Sequence, residues 1–539
     1  MKKVFTLVLI TACCTRAFSQ NIPLAQQVQK RFNKMVLNAD TSVFTGFRAT
    51  DWLEYKSFLS SQKTQVTDSA FGLSSGAPGG YFFKQLSTNN WVQANGNNSI
   101  FALDPYINAA FGKSKEQSNA LYEISAGLRL QGTVNDKISY GLGYVYTNSK
   151  FPNYLNTYLA SNQGYGLGMA KGTLQNNGAY SFSNITGYFT YIPNRHFLVS
   201  IGNGKNFIGD GYRSLILSDN SANYPYIRLQ ARFWKLTYNA LYAEFDNPRY
   251  LIDGNNQRKY SVMHYLGANF SKRFQLGVFD NVIWYSRDTT INRGFDVQYL
   301  NPFIFTRPLE FGIGSPDNAF MGLTFKYILY KKGFLYGQIA LDDLHITESV
   351  KNHAQHFGDK YGIQLGLWNE DIFNVKELSW RVEFNSVRPY TYTHGFDKAG
   401  LNYTHANQAL ADPFGANFNE LISIFQYNNK RWFGMFENIY TVRGEQPAGL
   451  GYPIGYDLWG GDLSDYPTAP VYGSKTTQGV KNHYFYNQAS LGYLINPRNR
   501  LALQGDVIYR RHTAPDLVSS DFYFTIGIKT GLYNFYKDF

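Results

Sequence analysis

The most suggestive chemistry in this chain of 539 residues lies in a glycine-rich stretch, residues 202–220, which reads GNGKNFIGDGYRSLILSDN. A phosphate-binding loop of the G-x-x-x-x-G-K-[ST] type needs a hydroxyl after its lysine to reach magnesium, and a helix behind it. Here Lys205 follows Gly204, but Asn206 takes the place of the Ser or Thr, and the upstream glycine is missing. The apolar run that follows is too short for the helix. The stretch therefore argues against a nucleotide site.

The charged residues of this stretch suit a different partner. Lys205 and Arg213 are candidate contacts for an acidic polysaccharide, because guanidinium and ammonium groups pair with carboxylates. Asp210 and Asp219 complete the candidate set, and internal pairing of Arg213 with either of them is the alternative. If the loop is exposed, replacing both cations with glutamine leaves the fold intact, since exposed ion pairs contribute little stability.

A second candidate site lies in the longest connection, which contains GLGYPIGYDLWGGDLSDYPTAPVYG at residues 449–473. Sugar binding uses flat aromatic faces together with planar polar groups that pair with hydroxyls. Tyr456 and Trp459 supply aromatic faces, and Asp457 and Asp462 supply carboxylates. The alternative is that the loop folds inward and its aromatic side chains pack over a barrel mouth.

Metal and nucleophilic chemistry have weaker support. His345, His353 and His356 share one loop, and two histidines three apart can ligate one metal on a helical turn. No cysteine or Glu-x-x-His accompanies them, so we expect a solvated loop, with no metal and no cofactor. No Ser, His and Asp spacing nominates a catalytic triad. We therefore expect a protein that is not an enzyme.

The elements that position these residues are predicted to be strands with one apolar face. In DFYFTIGIKT, residues 521–530, apolar side chains occupy the even positions and polar or small ones the odd positions. RLALQGDVIYR, residues 500–510, alternates in the same way. A period of two is typical of a half-buried strand. A soluble sandwich would show it too, so the connections must decide.

Short turns alternate with long loops along the chain, which is typical of outer-membrane barrels with periplasmic turns and extracellular loops. The count gives 17 strands from Leu121 onward and one more from Ser99, a total of 18. The predicted turns lie near residues 135–136, 193–195, 233–234, 271–273, 331–332, 370–375, 428–430 and 496–499. The predicted loops cover residues 148–178, 204–224, 246–259, 287–318, 343–359, 388–416 and 443–483, with a shorter one at 512–519.

The ends and the composition agree with export to an outer membrane. Residues 1–19 have the charged start, short apolar core and small-residue cleavage site of a signal peptide. A lipoprotein signal with Cys13 as the lipidated residue is the alternative. Both cysteines lie in this segment, so disulfides are not expected in the mature chain. Aromatic residues make up 17% of the chain, while no cluster of Lys and Arg suggests a nucleic-acid partner.

The segment before the barrel, residues 20–98, is predicted to be periplasmic, helical and able to plug the lumen. Leu24, Val28, Phe32 and Val36 recur at steps of four, which gives one apolar helical face. DWLEYKSF at residues 51–58 is a candidate second helix, and YFFKQL at 81–86 a candidate short strand. The barrel then spans residues 99–539. Phe539 resembles the terminal aromatic residue of a last strand, which the barrel-insertion machinery reads.

Three blocks resemble the Wzi-type capsule-assembly proteins of the outer membrane. They are GKNFIGDGYRSLILSDNSANYPYIRL at 204–229, YLNPFIFTRPLEFGIGSPDNAFMG at 299–322 and DPFGANFNE at 412–420. The last two look like the Bacteroidota branch, which includes a gliding-motility outer-membrane protein. The resemblance implies an 18-stranded barrel closed at its periplasmic end by helices, acting as a surface lectin for capsular polysaccharide.

The sequence thus predicts an all-β fold: an 18-stranded antiparallel transmembrane barrel with a short N-terminal helical segment. We expect it to bind or anchor surface polysaccharide and to support capsule attachment or gliding motility. Its expected partners are outer-membrane lipid, surface polysaccharide and the barrel-insertion machinery. The alternative is a channel for small solutes or oligosaccharides.

Overall fold

A computed structural model describes residues 22–37, 44–48, 51, 53–54, 81–287, 292–301, 317–330, 332–352, 355–395 and 400–539. The predicted signal peptide, His353, most of the candidate helix at 51–58 and much of the block at 299–322 lie outside these residues. None of the described helices is long and apolar enough to cross a membrane.

The described chain forms one closed antiparallel barrel of 18 strands, which confirms the predicted fold class and strand number. Strand β18 closes the barrel by pairing with β1, with Phe524 opposite Lys113. The strands are β1 Ser99–Ser114, β2 Ala120–Val134, β3 Ile138–Lys150, β4 Tyr180–Asn194, β5 Phe197–Gly204, β6 Tyr224–Phe233, β7 Leu236–Ile252, β8 Asn255–Asn269, β9 Phe274–Tyr285, β10 Asn318–Tyr330, β11 Gly333–Asp343, β12 Lys360–Glu370, β13 Leu378–Val387, β14 Phe418–Asn429, β15 Trp432–Glu445, β16 Val480–Asn496, β17 Leu501–Ala514 and β18 Leu517–Thr530.

The alternation of side chains follows the predicted period of two. On β18, Phe522, Phe524 and Ile526 are exposed on the outer wall, whereas Tyr523 is buried inside. Lys529 also points inward, where it forms an ion pair with Asp506 of β17. An apolar outer wall and a polar interior are what a strand needs when one face meets lipid.

The connections mostly follow the predicted pattern, with two exceptions at the long-loop end. The loop predicted at residues 246–259 is absent, because β7 and β8 extend to a two-residue turn at Asp253 and Gly254. Both turn residues have positive φ, of 52° and 77°, which is the geometry of a tight hairpin. The connection predicted at 512–519 is likewise a two-residue turn between β17 and β18.

Helix α1, Gln26–Leu37, lies at the short-turn end and buries Val28, Phe32 and Val36, as the four-residue spacing predicted. The Lys30 ammonium donates to the carbonyl oxygens of Glu377 and Gln426, at 2.6 and 2.9 Å. These contacts hold the helix against the ends of the barrel strands. The predicted closure of this end by a helix therefore has a structural counterpart.

The predicted strand at residues 81–86 is wrong, because helix α2, Tyr81–Ser87, occupies this segment. Its last carbonyl oxygens need donors from elsewhere. The barrel turns provide them: Arg431 donates to the Ser87 oxygen at 3.0 Å and Asn496 to the Gln85 oxygen at 2.9 Å. Local sequence contains no trace of these distant donors.

The C-terminal residues 531–539 leave the barrel wall and run through the lumen. The last strand ends at Thr530, so Phe539 does not lie on it. The prediction that Phe539 is the terminal aromatic residue of the last strand is therefore wrong. The tail starts at the short-turn end, and its Phe539 carbonyl accepts a hydrogen bond from Arg510 of β17 at 2.8 Å. The Phe539 ring packs against Tyr158 of helix α3, Asn153–Ser161, at 4.5 Å between ring centroids.

Candidate functional site

The glycine-rich connection between β5 and β6, residues 205–223, is folded into the barrel lumen and is almost completely buried. Gly209 has a φ of +119°, and a Cβ there would lie 1.9 Å from Gln338 Nε2 of β11. The connection is packed against a second inward loop, residues 388–417. Tyr392 and Tyr403 of that loop donate to the carbonyl oxygens of Leu215 and Ile216, each at 2.6 Å.

Arg213 is at the centre of a buried ion-pair network and has no exposed surface. Its Nη2 lies 3.0 Å from Asp538 Oδ2 in the tail and 3.5 Å from Glu420 Oε1 of β14. Its Nε is 3.8 Å from Asp412. The expected internal partners, Asp210 and Asp219, were wrong, because chain positions far from the loop provide all three carboxylates.

The other charged residues of the stretch also make internal contacts. Lys326 of β10 donates to Asp210 at 2.9 Å, and Tyr536 of the tail donates to Asp219 at 2.7 Å. The Lys205 ammonium donates to the Asp219 carbonyl oxygen at 3.0 Å. These residues fasten the tail and the inward loop to the barrel wall, a role that their sequence spacing did not indicate.

The long connection between β15 and β16 is anchored to the same inward loops. Tyr390 donates from its backbone to the Gly455 oxygen at 2.8 Å, and Asn402 donates from its side chain to the Leu458 oxygen at 2.9 Å. Leu458 itself is buried against the lumen core. The long connection is therefore folded inward at Leu458, as the alternative interpretation of this loop predicted. Residues on either side of Leu458 retain exposed surface.

Five residues with exposed surface form what we term the mouth cluster: Arg249, Arg443, Tyr456, Asp457 and Trp459. The Arg249 guanidinium stacks over the Trp459 ring, 4.0 Å from its centroid, and Arg443 lies 4.9 Å from the Tyr456 centroid. Asp457 accepts a hydrogen bond from the Trp459 amide at 3.1 Å. The structure thus brings together three of the predicted residues and adds two arginines.

Two donors of the mouth cluster have no hydrogen-bond partner among the described residues. They are Trp459 Nε1 and Arg443 Nε, and both atoms are buried. A buried donor without an acceptor is costly, so such atoms point to a ligand or solvent group that satisfies them. Arg443 Nη1 lies 3.6 Å from Glu445 Oε1. Arg249 has no carboxylate within 4.0 Å among the described residues, so its side of the cluster favours an acceptor that carries negative charge.

Asp462 lies apart from the mouth cluster and is buried. It forms an ion pair with Lys360 of β12 at 2.7 Å and also accepts from the Ser464 amide. Burial alone would raise the pKa of Asp462, but the Lys360 ammonium and the Ser464 hydrogen bonds outweigh it and lower the pKa. This contact fixes the long connection to the barrel rim.

Most described residues of the histidine loop are exposed, as expected for a solvated loop. It contains helix α4, Ile346–Lys351, and the rings of His345 and His356 lie 4.5 Å apart between centroids. His356 is buried, and its Nδ1 accepts from the Gly358 amide at 3.0 Å. In the neutral ring the proton is therefore on Nε2, which faces Glu348 at 3.6 Å. The ring nitrogens of His345 and His356 and the Glu348 carboxylate lie within 4.8 Å of one another, a spacing that could hold a metal ion.

Comparisons with known proteins identify the fold. No family model matches the chain, and no curated protein matches it in sequence. Wzi from Escherichia coli, titled an outer-membrane protein involved in group 1 capsule assembly and a carbohydrate-binding β-barrel, superposes with a TM-score of 0.57 at 11% identity. The superposition covers 94% of this chain and 98% of Wzi. OprD from Pseudomonas aeruginosa gives a TM-score of 0.40 at 10% identity, over 79% and 94% of the two chains. The chain thus has a Wzi-like outer-membrane barrel fold.

Proposed function

We propose that this protein is a closed outer-membrane barrel that binds acidic surface polysaccharide at its long-loop end and catalyses no reaction. The observation that carries the proposal is the mouth cluster, in which Arg249 covers Trp459 and Arg443 lies beside Tyr456. We take the short turns to face the periplasm and the long loops to face the cell exterior, where the polysaccharide lies. Capsule attachment and gliding motility would both use such a surface.

The chemistry of the cluster fits an acidic sugar better than a neutral one. The Trp459 and Tyr456 rings hold the two guanidinium groups in place. A guanidinium pairs with a carboxylate through two parallel hydrogen bonds. Asp457 adds an acceptor for a sugar hydroxyl. The half-buried Lys205 and the buried Asp210, Arg213, Asp219 and Asp462 support the site by holding the loops.

The filled lumen supports binding over transport. Helix α1 lies across the short-turn end, and the tail and two inward loops occupy the interior. The Wzi-like fold accords with this reading, since Wzi is itself titled a carbohydrate-binding barrel. The mouth cluster contains no serine, cysteine or histidine that could act as a nucleophile or base, which supports a role without catalysis.

Replacing Trp459 with alanine is expected to weaken binding of an acidic polysaccharide by about tenfold or more, because a central aromatic anchor contributes about 2 kcal/mol. Binding would be measured with purified wild-type and variant barrels by biolayer interferometry. Trp234→Ala is the matched control, because Trp234 is fully exposed in a turn at the opposite end. Equal binding by all three proteins, with the variants correctly folded, would contradict the proposed site.

A further inference from the structure

The outer wall of the barrel contains a cationic arc at the long-loop end of four neighbouring strands. Lys481 of β16, Arg511 of β17, and Lys113 and Lys115 at the end of β1 are all exposed. Strand β18 lies between β17 and β1 and pairs with both, so the cations of β17 and β1 are separated by a single strand. The mouth cluster, in contrast, lies where the long connection between β15 and β16 meets the ends of β7 and β15.

The side chains of the arc are free of carboxylate partners. None of the four forms an ion pair within 4.0 Å in the described part of the chain. The nearby Glu116 carboxylate is already engaged, because it accepts from the Phe522 amide at 2.9 Å and from Ser114 Oγ at 2.8 Å.

Two exposed arginines on the β7 to β9 side of the rim have carboxylate partners. Arg258 of β8 contacts Glu244 at 2.6 Å, and Arg287 contacts Asp253 at 2.8 Å. These pairs neutralise the rim on the side of β7 to β9. The four cations of the arc differ from these two arginines, because none of them has a carboxylate within 4.0 Å among the described residues.

A groove of about 360 Å³ on the outer wall opens beside Arg511. Aromatic side chains form much of its surface, and the Tyr440 hydroxyl is hydrogen-bonded to His483 Nδ1 at 2.7 Å. Phe485 is directly opposite Arg511 in the strand register. The residues around the groove are Tyr440, His483, Phe485, Tyr509, Arg511 and Thr513.

The wall immediately below the arc is apolar. Register pairs place Tyr509 opposite Phe522 and Lys113 opposite Phe524. The side chains of Phe522, Phe524 and Ile526 are 42%, 47% and 58% exposed and continue the wall toward the membrane centre. A ligand that bridged both zones would need an anionic head and apolar chains.

We propose that this arc binds the phosphate groups of a phosphorylated glycolipid in the outer leaflet of the outer membrane. Arg511 pairs with one phosphate through its planar guanidinium, and Lys113 and Lys115 provide charge for a second. The acyl chains lie on the apolar wall below, and the glycan head rests against the aromatic groove. A soluble phosphate would use only the cations, so the adjoining apolar wall favours a lipid.

The test compares lipid binding by the wild-type barrel and the double variant Arg511→Gln/Lys115→Gln. Delipidated protein in detergent is titrated with diphosphoryl lipid A and, separately, with dephosphorylated lipid A, and bound lipid is counted by native mass spectrometry. We expect the double variant to bind diphosphoryl lipid A about tenfold or more weakly, since each cation near a charged lipid surface contributes about 1 kcal/mol. Arg258→Gln is the matched control and should bind as wild type does.

Three outcomes would overturn the proposal. Equal affinity of the wild-type barrel for the phosphorylated and dephosphorylated lipids would remove phosphate recognition. Unchanged affinity of the double variant for diphosphoryl lipid A would show that the arc is not the binding site. Full competition by inorganic phosphate would favour a soluble anion as the ligand. Heat-modified gel mobility reports whether the variants are folded. If the double variant does not fold, the single variant Arg511→Gln replaces it in the binding measurement. Trp459→Ala should leave lipid binding unchanged, which separates this site from the mouth cluster.

Discussion

Arg213→Met is expected to lower the free energy of unfolding by about 3–5 kcal/mol, the usual cost of removing one partner from a buried ion pair. The substitution keeps most of the side-chain volume but leaves the carboxylates of Asp538, Glu420 and Asp412 without their shared cation. Glutamine would have a similar effect. The sequence-based expectation that glutamine here leaves the fold intact assumed an exposed loop, and the structure shows a buried one.

Urea titration followed by heat-modified gel mobility would measure the fraction of folded barrel. Arg258→Met is the control, because Arg258 is 63% exposed and its pair with Glu244 should contribute no more than about 1 kcal/mol. Equal midpoints for the two variants would show that the Arg213 network does not hold the lumen together.

Deleting helix α1 and the C-terminal tail should convert a non-conducting barrel into a conducting one. The wild-type protein is expected to show little or no conductance in planar bilayers, because α1, the tail and the inward loops fill the lumen. Removing residues 20–38 and 531–539 eliminates two of these elements. It also releases the loop at residues 205–223, since Tyr536 and Asp538 of the tail contact Asp219 and Tyr212.

Single-channel recording should then show discrete conductance steps in the doubly truncated protein and a flat baseline in the wild type. Circular dichroism confirms that the truncated chain retains its β-structure. Large, stable conductance steps in the wild-type protein would contradict a closed lumen and favour a transport function.

The barrel wall was predictable because its signals are local. The alternation at Phe522, Tyr523 and Phe524 is visible within a few residues, and it sets which side chain faces lipid. Turn lengths then gave the strand number. The tight turn at Asp253 and Gly254 was missed because the polar residues around it also suit a loop, and only strand pairing distinguishes the two.

The lumen and the mouth cluster were less predictable because their contacts join distant parts of the chain. Lys205 and Arg213 have the composition of an exposed basic loop, and only the distant carboxylates of Glu420 and Asp538 account for the burial of Arg213. Arg249 likewise gave no signal in the sequence. Its contact with Trp459 depends on how the long connection between β15 and β16 packs against the end of β7, which no local pattern records.

The most direct test of the central claim is the affinity of the wild-type barrel for an acidic polysaccharide and for the same polysaccharide with its carboxyl groups reduced to alcohols. Isothermal titration calorimetry at low and moderate salt would measure both. The account predicts tighter binding of the acidic form and an affinity that falls as salt screens the charges of Arg249 and Arg443. Equal affinity for both forms, or no binding to either by a correctly folded barrel, would contradict it.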